Sequence, residues 1–205
     1  MCKCANCILT SASESSSSAV SKKGEHDYLR IQAMTLQEAI EARHSVRAYK
    51  NEPLTDGVVK ALEEQIAVLN REGKLHMQLI LNEPKAFQGT MAKYGKFRNA
   101  NNYIVMAGKK AEDLDERIGY YGEHLVLLAQ TLGLNTCWVG LSYSKVPGTY
   151  ELGEDEKFEH VGVKNNRHQI RAKKGFSMIG YTKMDLGIAR YHFEIGAGEV
   201  NFDWV

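Results

Sequence analysis

The chain carries the stretch Arg43-His44-Ser45-Val46-Arg47, which places two guanidinium groups, an imidazole and a hydroxyl within five residues. Guanidinium groups bind phosphate oxygens in pairs, and a serine hydroxyl adds a donor without adding charge. The stretch therefore predicts a loop that binds a phosphate dianion. The alternative is solvated surface charge, with the arginines paired to nearby glutamates, and on composition alone this second interpretation is the stronger.

Regular secondary structure is predicted on both sides of this stretch. Residues 34–42 form a short helix, because Thr35 and Glu38 have the spacing of a capping box. Apolar periodicity predicts further helices over residues 56–70 and 111–132, strands over 75–81, 103–107 and 136–141, and a hairpin over 167–172 and 176–180. A last helix begins at Asp185, with Leu186, Ala189 and Phe193 facing inward. Helices and strands alternate, which indicates an α/β or α+β protein with a mixed sheet.

Composition restricts the class of protein. The chain has 205 residues, 43% of them apolar, which is enough to bury one substantial core. The formal net charge is +1 with acids and bases interspersed, so neither nucleic acid nor a membrane surface is predicted as a partner. No run is apolar enough to span a bilayer. We expect a cytoplasmic protein.

The first residues differ in composition from the rest. Residues 1–34 are predicted to be a disordered leader, rich in cysteine and then serine, followed by one domain over residues 35–205. Cys2, Cys4 and Cys7 lack the fourth ligand of a tetrahedral site, so no metal is expected. The alternative is a cleaved presequence, which would place the protein in a mitochondrion-related organelle.

Other common sites are disfavoured. No glycine-rich dinucleotide fingerprint follows a strand, and no phosphate-binding P-loop occurs. A hydrolytic set of Ser177, His192 and Asp185 lacks the nucleophile elbow. Cys137 lies in an apolar run, where cysteine usually packs as a small hydrophobe.

Residues 36–49 resemble the opening of the FMN-dependent nitroreductase family. In that family a basic run with a serine follows the first helix and holds the flavin phosphate. The match is residue by residue at Arg43, His44, Ser45 and Arg47.

A second block also resembles that family. It reads Gly133-Leu134-Asn135-Thr136-Cys137-Trp138-Val139-Gly140-Leu141 and corresponds to the strand that passes close to the flavin. The resemblance implies that Cys137, Trp138, Val139 and Gly140 bind the cofactor and that their backbone N–H groups stabilise the reduced ring.

The resemblance implies fold and activity together. We expect an α+β protein with an α/β/α sandwich around a central mixed sheet, the nitroreductase-like fold. We expect a homodimer that passes electrons from NAD(P)H through bound FMN to a nitroaromatic, a quinone or a similar small acceptor. No side chain is required as a catalytic acid.

The chain departs from the family after Val163. Related chains continue there into a strand, a basic loop and a segment that touches the flavin ring, whereas residues 163–166 cross the gap directly. The alternative function is therefore a shortened nitroreductase-like flavin-binding or interaction protein with little or no turnover.

Overall fold

The computed structural model describes residues 6–11, 34–90, 92–157 and 181–197 of the chain. Its helices are α1 (Leu36–Ala42), α2 (Asp56–Gly73), α3 (Ala92–Gly95), α4 (Leu114–Thr131) and α5 (Thr182–Ala197), with a 3₁₀ turn at Lys85–Phe87. Its strands are β1 (Asn6–Ser11), β2 (Gln78–Ile80), β3 (Tyr103–Val105), β4 (Gly108–Lys109), β5 (Leu134–Val139) and β6 (Glu156–Lys157). The predicted hairpin over residues 167–180 lies outside the described residues.

Helix α1 begins as predicted. The Thr35 hydroxyl accepts a hydrogen bond from the Glu38 backbone N–H at 3.2 Å, and the Glu38 carboxylate accepts one from the Thr35 backbone N–H at 2.7 Å. This capping box satisfies donors that the helix itself leaves without partners. The helix ends at Ala42, and Arg43 adopts an extended conformation with φ −69° and ψ 129°. The predicted phosphate loop therefore starts at the C-terminal end of α1.

A four-stranded sheet carries the second block of the predicted site. Its order is β2-β3-β1-β5, and every neighbouring pair is antiparallel. A separate ladder joins β4 to β6, also antiparallel. Helices combined with an antiparallel sheet agree with the α+β class. The predicted mixed sheet was wrong for the described strands, because every pair of them is antiparallel. Two isolated parallel bridges, Ser45–Thr136 and Ala48–Arg98, lie outside the strand ladders.

Strand β1 corrects the prediction for the start of the chain. It lies between β3 and β5, and Asn6, Cys7 and Ile8 pair with residues of both neighbours. A strand that is paired on both edges belongs to the sheet, so the predicted disordered leader was wrong for residues 6–11. The physical reason is that the neighbouring strands supply hydrogen bonds that no local pattern reveals. Residues 1–5 and 12–33 lie outside the described part of the chain.

Helix α4 lies in the core, as its nearly all-round apolar character predicts. Leu125, Val126, Leu127 and Ala129 are each 0% exposed. The helix packs against α1, α2, α5 and β5. It thereby contacts both α1, which precedes the predicted phosphate loop, and strand β5.

Helix α5 approaches α4 closely through glycines. A Cβ atom on Gly187 would lie 2.7 Å from the backbone nitrogen of Tyr120, and one on Gly119 would lie 2.8 Å from the carbonyl carbon of Met184. Both distances are shorter than a van der Waals contact, so neither position has space for a side chain.

The buried face of α5 differs from the prediction. Met184, Gly187 and Tyr191 are buried, whereas Ala189 and Phe193 are exposed. The hydrophobic pattern alone had indicated the face that carries Ala189 and Phe193. Close packing at glycine decides the orientation instead, and a pattern of apolar residues does not show this.

Candidate functional site

The two sequence blocks lie side by side in the structure. The Val46 backbone N–H donates to the Thr136 carbonyl at 3.0 Å, and Ser45 forms a parallel bridge with Thr136. The loop after α1 therefore runs along the edge strand β5. This pairing brings the basic residues next to residues 137–140.

A pocket of about 270 Å³ opens beside this pairing. The residues that line it are Arg47, Tyr94, Gly95, Lys96, Phe97, Trp138, Val139, Gly140 and Ser142. Four of these were predicted from the sequence as cofactor-binding residues: Arg47, Trp138, Val139 and Gly140. The lining combines three aromatic rings with two cationic side chains, and none of these residues is acidic.

One wall of the pocket was missed by the sequence reasoning. Helix α3 and the turn after it contribute Tyr94, which is 80% exposed, together with Gly95, Lys96 and Phe97. The sequence does contain a signal, because residues 84–111 include six basic residues and no acidic one.

Backbone pairing fixes this wall against the predicted loop. The Arg98 backbone N–H donates to the Arg47 carbonyl at 2.9 Å, and the Tyr49 backbone N–H donates to the Arg98 carbonyl at 3.1 Å. The Asn99 side-chain amide donates to the Tyr49 carbonyl at 2.9 Å. Arg47 and Lys96 are therefore held at the same pocket by a rigid backbone.

Two glycines that line the pocket leave space for neighbouring side chains. A Cβ atom on Gly140 would collide with the Tyr181 side chain, and one on Gly95 would overlap the Phe97 ring and lie 2.9 Å from the Ser142 Cβ. Any larger residue at either position would displace an aromatic side chain.

The predicted phosphate loop is divided between two environments. Arg47 lines the pocket, and His44 is exposed, with its Nδ1 atom 3.4 Å from the Ala42 carbonyl oxygen. Arg43 faces inward: its side chain is 22% exposed, and its Nε lies 3.9 Å from the Glu123 Oε1. The Arg43 Nη1 atom is buried and has no hydrogen-bond partner among the described residues. Arg47 is thus the arginine of this loop that lies at the pocket.

Cys137 lies beneath the same loop. It is 1% exposed, and its burial raises the pKa of the thiol. The positive charge of Arg47, a hydrogen bond with Ser45 and the charge of Arg43 lower that pKa, by less than burial raises it. The thiol is therefore held neutral, as the sequence reading of Cys137 as a small hydrophobe implied.

We expect Cys137 to react slowly with iodoacetamide in the folded protein. At about pH 8 its alkylation should be at least about tenfold slower than in guanidinium chloride, because the thiolate is the nucleophile and burial disfavours it. Mass spectrometry of the peptide that carries Cys137 gives the rate for this residue separately from the other cysteines. Equal rates in both conditions would show that the thiol is accessible in the native state.

Glu123 is a functional candidate that the sequence reasoning missed. It is 2% exposed on α4, and its Oε2 accepts a hydrogen bond from the Trp138 Nε1–H at 2.8 Å. Its Oε1 lies 2.9 Å from the His192 Nε2. His192 is therefore engaged with a carboxylate of the domain, and Asp185, of the disfavoured hydrolytic set, is exposed on α5. Ser177 lies outside the described residues.

No group of three or more His, Cys, Asp or Glu residues in the described part of the chain is arranged to hold a metal ion. Cys2 and Cys4 lie outside it. Among the helices that the structure describes, none is long and apolar enough to cross a membrane.

Comparison with known proteins identifies a family. No curated protein and no solved structure is significantly similar to the chain. A family model described as a TM nitroreductase matches residues 35–163, which is more than half of the chain. The match includes the loop after α1, residues 94–97 of the pocket wall and strand β5. It ends at residue 163, where the resemblance to nitroreductases noted in the sequence is also interrupted. The chain belongs to this nitroreductase family.

Proposed function

We propose that the protein is an FMN-dependent oxidoreductase that passes electrons from NAD(P)H to a nitroaromatic, a quinone or a similar acceptor. Membership of a nitroreductase family supports an oxidoreductase function in general. The observation that carries the proposal further is the lining of the pocket, where Arg47 and Lys96 accompany the rings of Tyr94, Phe97 and Trp138. Cations match a phosphate group, and aromatic rings match a flat heterocycle.

The residues present fit FMN in chemistry. Arg47 and Lys96 provide positive charge for the phosphate, and no acidic residue among the described lining opposes it. Gly95 and Gly140 leave room for the Phe97 and Tyr181 side chains, which lie where a Cβ atom would be. Bound FMN would supply the two-electron chemistry of taking hydride from NAD(P)H and delivering it to the acceptor.

The roles of this chain's own residues follow from their positions. Arg47 and Lys96 bind the phosphate, and Trp138 excludes water from one side of the pocket. Backbone N–H groups at Val139 and Gly140 are the candidate donors to the ring. Arg43 does not line the pocket and instead lies 3.9 Å from the Glu123 carboxylate, whose charge it compensates. In this scheme the side chains bind and orient the FMN, and none of them is needed as a proton donor.

The proposal includes a homodimer. In this proposal a second copy of the chain adds to the pocket, whose volume of about 270 Å³ lies slightly below the roughly 300–1,000 Å³ typical of ligand sites. Helices on both faces of the sheet and a cytoplasmic location are part of the same proposal.

A second candidate is a flavin-binding protein with little or no turnover. The observation that favours it is the end of the family match at residue 163, which leaves the following 42 residues outside the family model. Titration of the apoprotein with FMN, followed by single-turnover reduction with NADH or NADPH, distinguishes the two. Tight binding with rapid reduction supports the enzyme, and tight binding without reduction supports the second candidate. Absence of FMN binding contradicts both.

We expect Arg47→Ala to weaken FMN binding by about 1.5–3 kcal/mol, because a charge-assisted contact with phosphate is lost. Riboflavin, which lacks the phosphate, should bind the variant and the wild type equally. Isothermal titration of both ligands measures the difference. Arg71→Ala is the matched control, since Arg71 is exposed in the last turn of α2 and does not line the pocket. An equal loss for both ligands would assign Arg47 a structural role instead.

A further inference from the structure

Glu123 connects four parts of the fold through one buried carboxylate. It belongs to α4, and its Oε2 accepts the indole N–H of Trp138 on β5 at 2.8 Å. Its Oε1 lies 2.9 Å from the Nε2 of His192 on α5 and 3.9 Å from the Nε of Arg43 on the loop after α1. The carboxylate is 2% exposed.

A buried carboxylate is tolerated when its charge is compensated and its oxygens are hydrogen-bonded. Both conditions are met here, because Arg43 brings a permanent positive charge and the indole and imidazole groups approach the two oxygens. The Arg43 Nη1 atom has no hydrogen-bond partner among the described residues, and the Nε atom is the one that faces Glu123. Removing the carboxylate would leave the indole N–H without its acceptor and the Arg43 guanidinium without this opposite charge.

The contact with Glu123 fixes the orientation of Trp138. Indole has a single hydrogen-bond donor, so one acceptor in a fixed position determines how the ring lies. Gly122 allows the ring to lie against α4, since a Cβ there would be 2.5 Å from the Trp138 Cη2. Trp138 lines the pocket, and Glu123 does not. The carboxylate can therefore act on the pocket only through the residues that it holds.

We propose that Glu123 is a positioning residue of the pocket, which sets the Trp138 ring in its wall and holds the Arg43 guanidinium behind it. This inference rests on the proposed function for its effect on FMN. The geometry of the indole does not depend on that function and can be measured without any ligand.

A purely structural role is the competing explanation, because Glu123 also joins α4 to α5. The chain offers a matched control in Glu116, which forms an ion pair with Arg190 at 2.5 Å. This pair also links α4 to α5, and neither of its residues lines the pocket. Loss of either glutamate should lower the thermal midpoint, whereas only Glu123 should affect the pocket.

The test compares Glu123→Ala, Glu123→Gln and Glu116→Gln in a Trp204→Phe background. Trp138 is then the single tryptophan, because the chain has two. The indole ¹H–¹⁵N resonance and the emission maximum report its environment, and FMN titration reports the pocket. We expect Glu123→Ala to shift both spectroscopic signals and to raise the FMN Kd about tenfold or more. Glu123→Gln keeps an acceptor oxygen for the indole, so it should restore the resonance in large part.

For Glu116→Gln we expect a lower thermal midpoint with the indole resonance and the FMN Kd unchanged. The proposal is overturned if Glu123→Ala behaves in the same way, or if Glu116→Gln moves the indole as much as Glu123→Ala does. If Glu123→Ala does not fold, Glu123→Met, which keeps most of the side-chain volume and removes the acceptor, and Trp138→Phe take its place. Each of these two substitutions should raise the FMN Kd, and the double variant should lose less binding free energy than the two single variants lose together. Additive losses would overturn the proposal. If the wild type binds no FMN, the proposed function fails and the indole resonance alone decides this inference.

Discussion

Ile8→Pro is expected to cause the largest loss of stability of any single substitution considered for this protein. Ile8 lies in the middle of β1 and pairs with Tyr103 on one side and with Cys137 on the other. Proline removes a backbone donor and its ring does not fit an interior strand, so we expect a cost of about 3 kcal/mol or more. That is a large part of the roughly 5–15 kcal/mol by which domains are stable. Chemical denaturation followed by circular dichroism measures the change.

Ile8→Val is the control for this substitution, because it keeps the backbone donor and favours strand geometry. A second variant that lacks residues 6–11 should show the same loss, since β3 and β5 would each have an unpaired edge. If both the proline variant and the deletion keep the wild-type stability, β1 is not part of the folded sheet and the original prediction of a dispensable leader is correct.

Gly187→Ala is expected to destabilise the domain by up to about 3 kcal/mol, through overpacking between α4 and α5. A Cβ atom there would lie 2.7 Å from the Tyr120 backbone nitrogen and 3.0 Å from the Glu116 carbonyl carbon. These are backbone atoms of a buried helix and cannot rotate away as a flexible side chain would. The helices must therefore move apart, and the Glu116–Arg190 ion pair and the Glu123–His192 contact are strained with them.

Gly196→Ala serves as the control in the same helix. No atom lies within 4 Å of a Cβ built on Gly196, and alanine is the better helix former by roughly 0.5–1 kcal/mol. The two substitutions should therefore change the midpoint of thermal unfolding in opposite directions. The same sign at both positions would mean that helix propensity, and not close packing, governs α5.

Local signals in the sequence predicted much of the framework. The capping box of Thr35 and Glu38 located the start of α1, because its two hydrogen bonds form between residues three positions apart. The predicted helices over residues 56–70 and 111–132 correspond to Asp56–Gly73 and Leu114–Thr131. Their apolar periodicity reflects one buried face, which any packing partner would require.

Contacts between distant residues were less predictable. The strand predicted over residues 75–81 is confined to Gln78–Ile80, although Leu75 and Met77 are buried. His76, between these two residues, is 37% exposed and lies 2.6 Å from the Glu156 Oε2. Its partner is 80 positions away along the chain, so no local pattern could have indicated the pair.

The sequence alone determined the chemistry of one half of the candidate site and its family. Arg47, Trp138, Val139 and Gly140 were identified from two motifs, and residues next to each other in a motif stay together in any fold. All four line one pocket because the loop after α1 pairs with β5 at Thr136. Tertiary structure alone decided the rest: that Arg43 turns inward to Glu123, that residues 94–97 form the opposite wall, and that β1 completes the sheet. Each of these depends on pairing or packing between segments far apart in sequence, and such contacts acquire their free energy only when the chain has closed the loops between them.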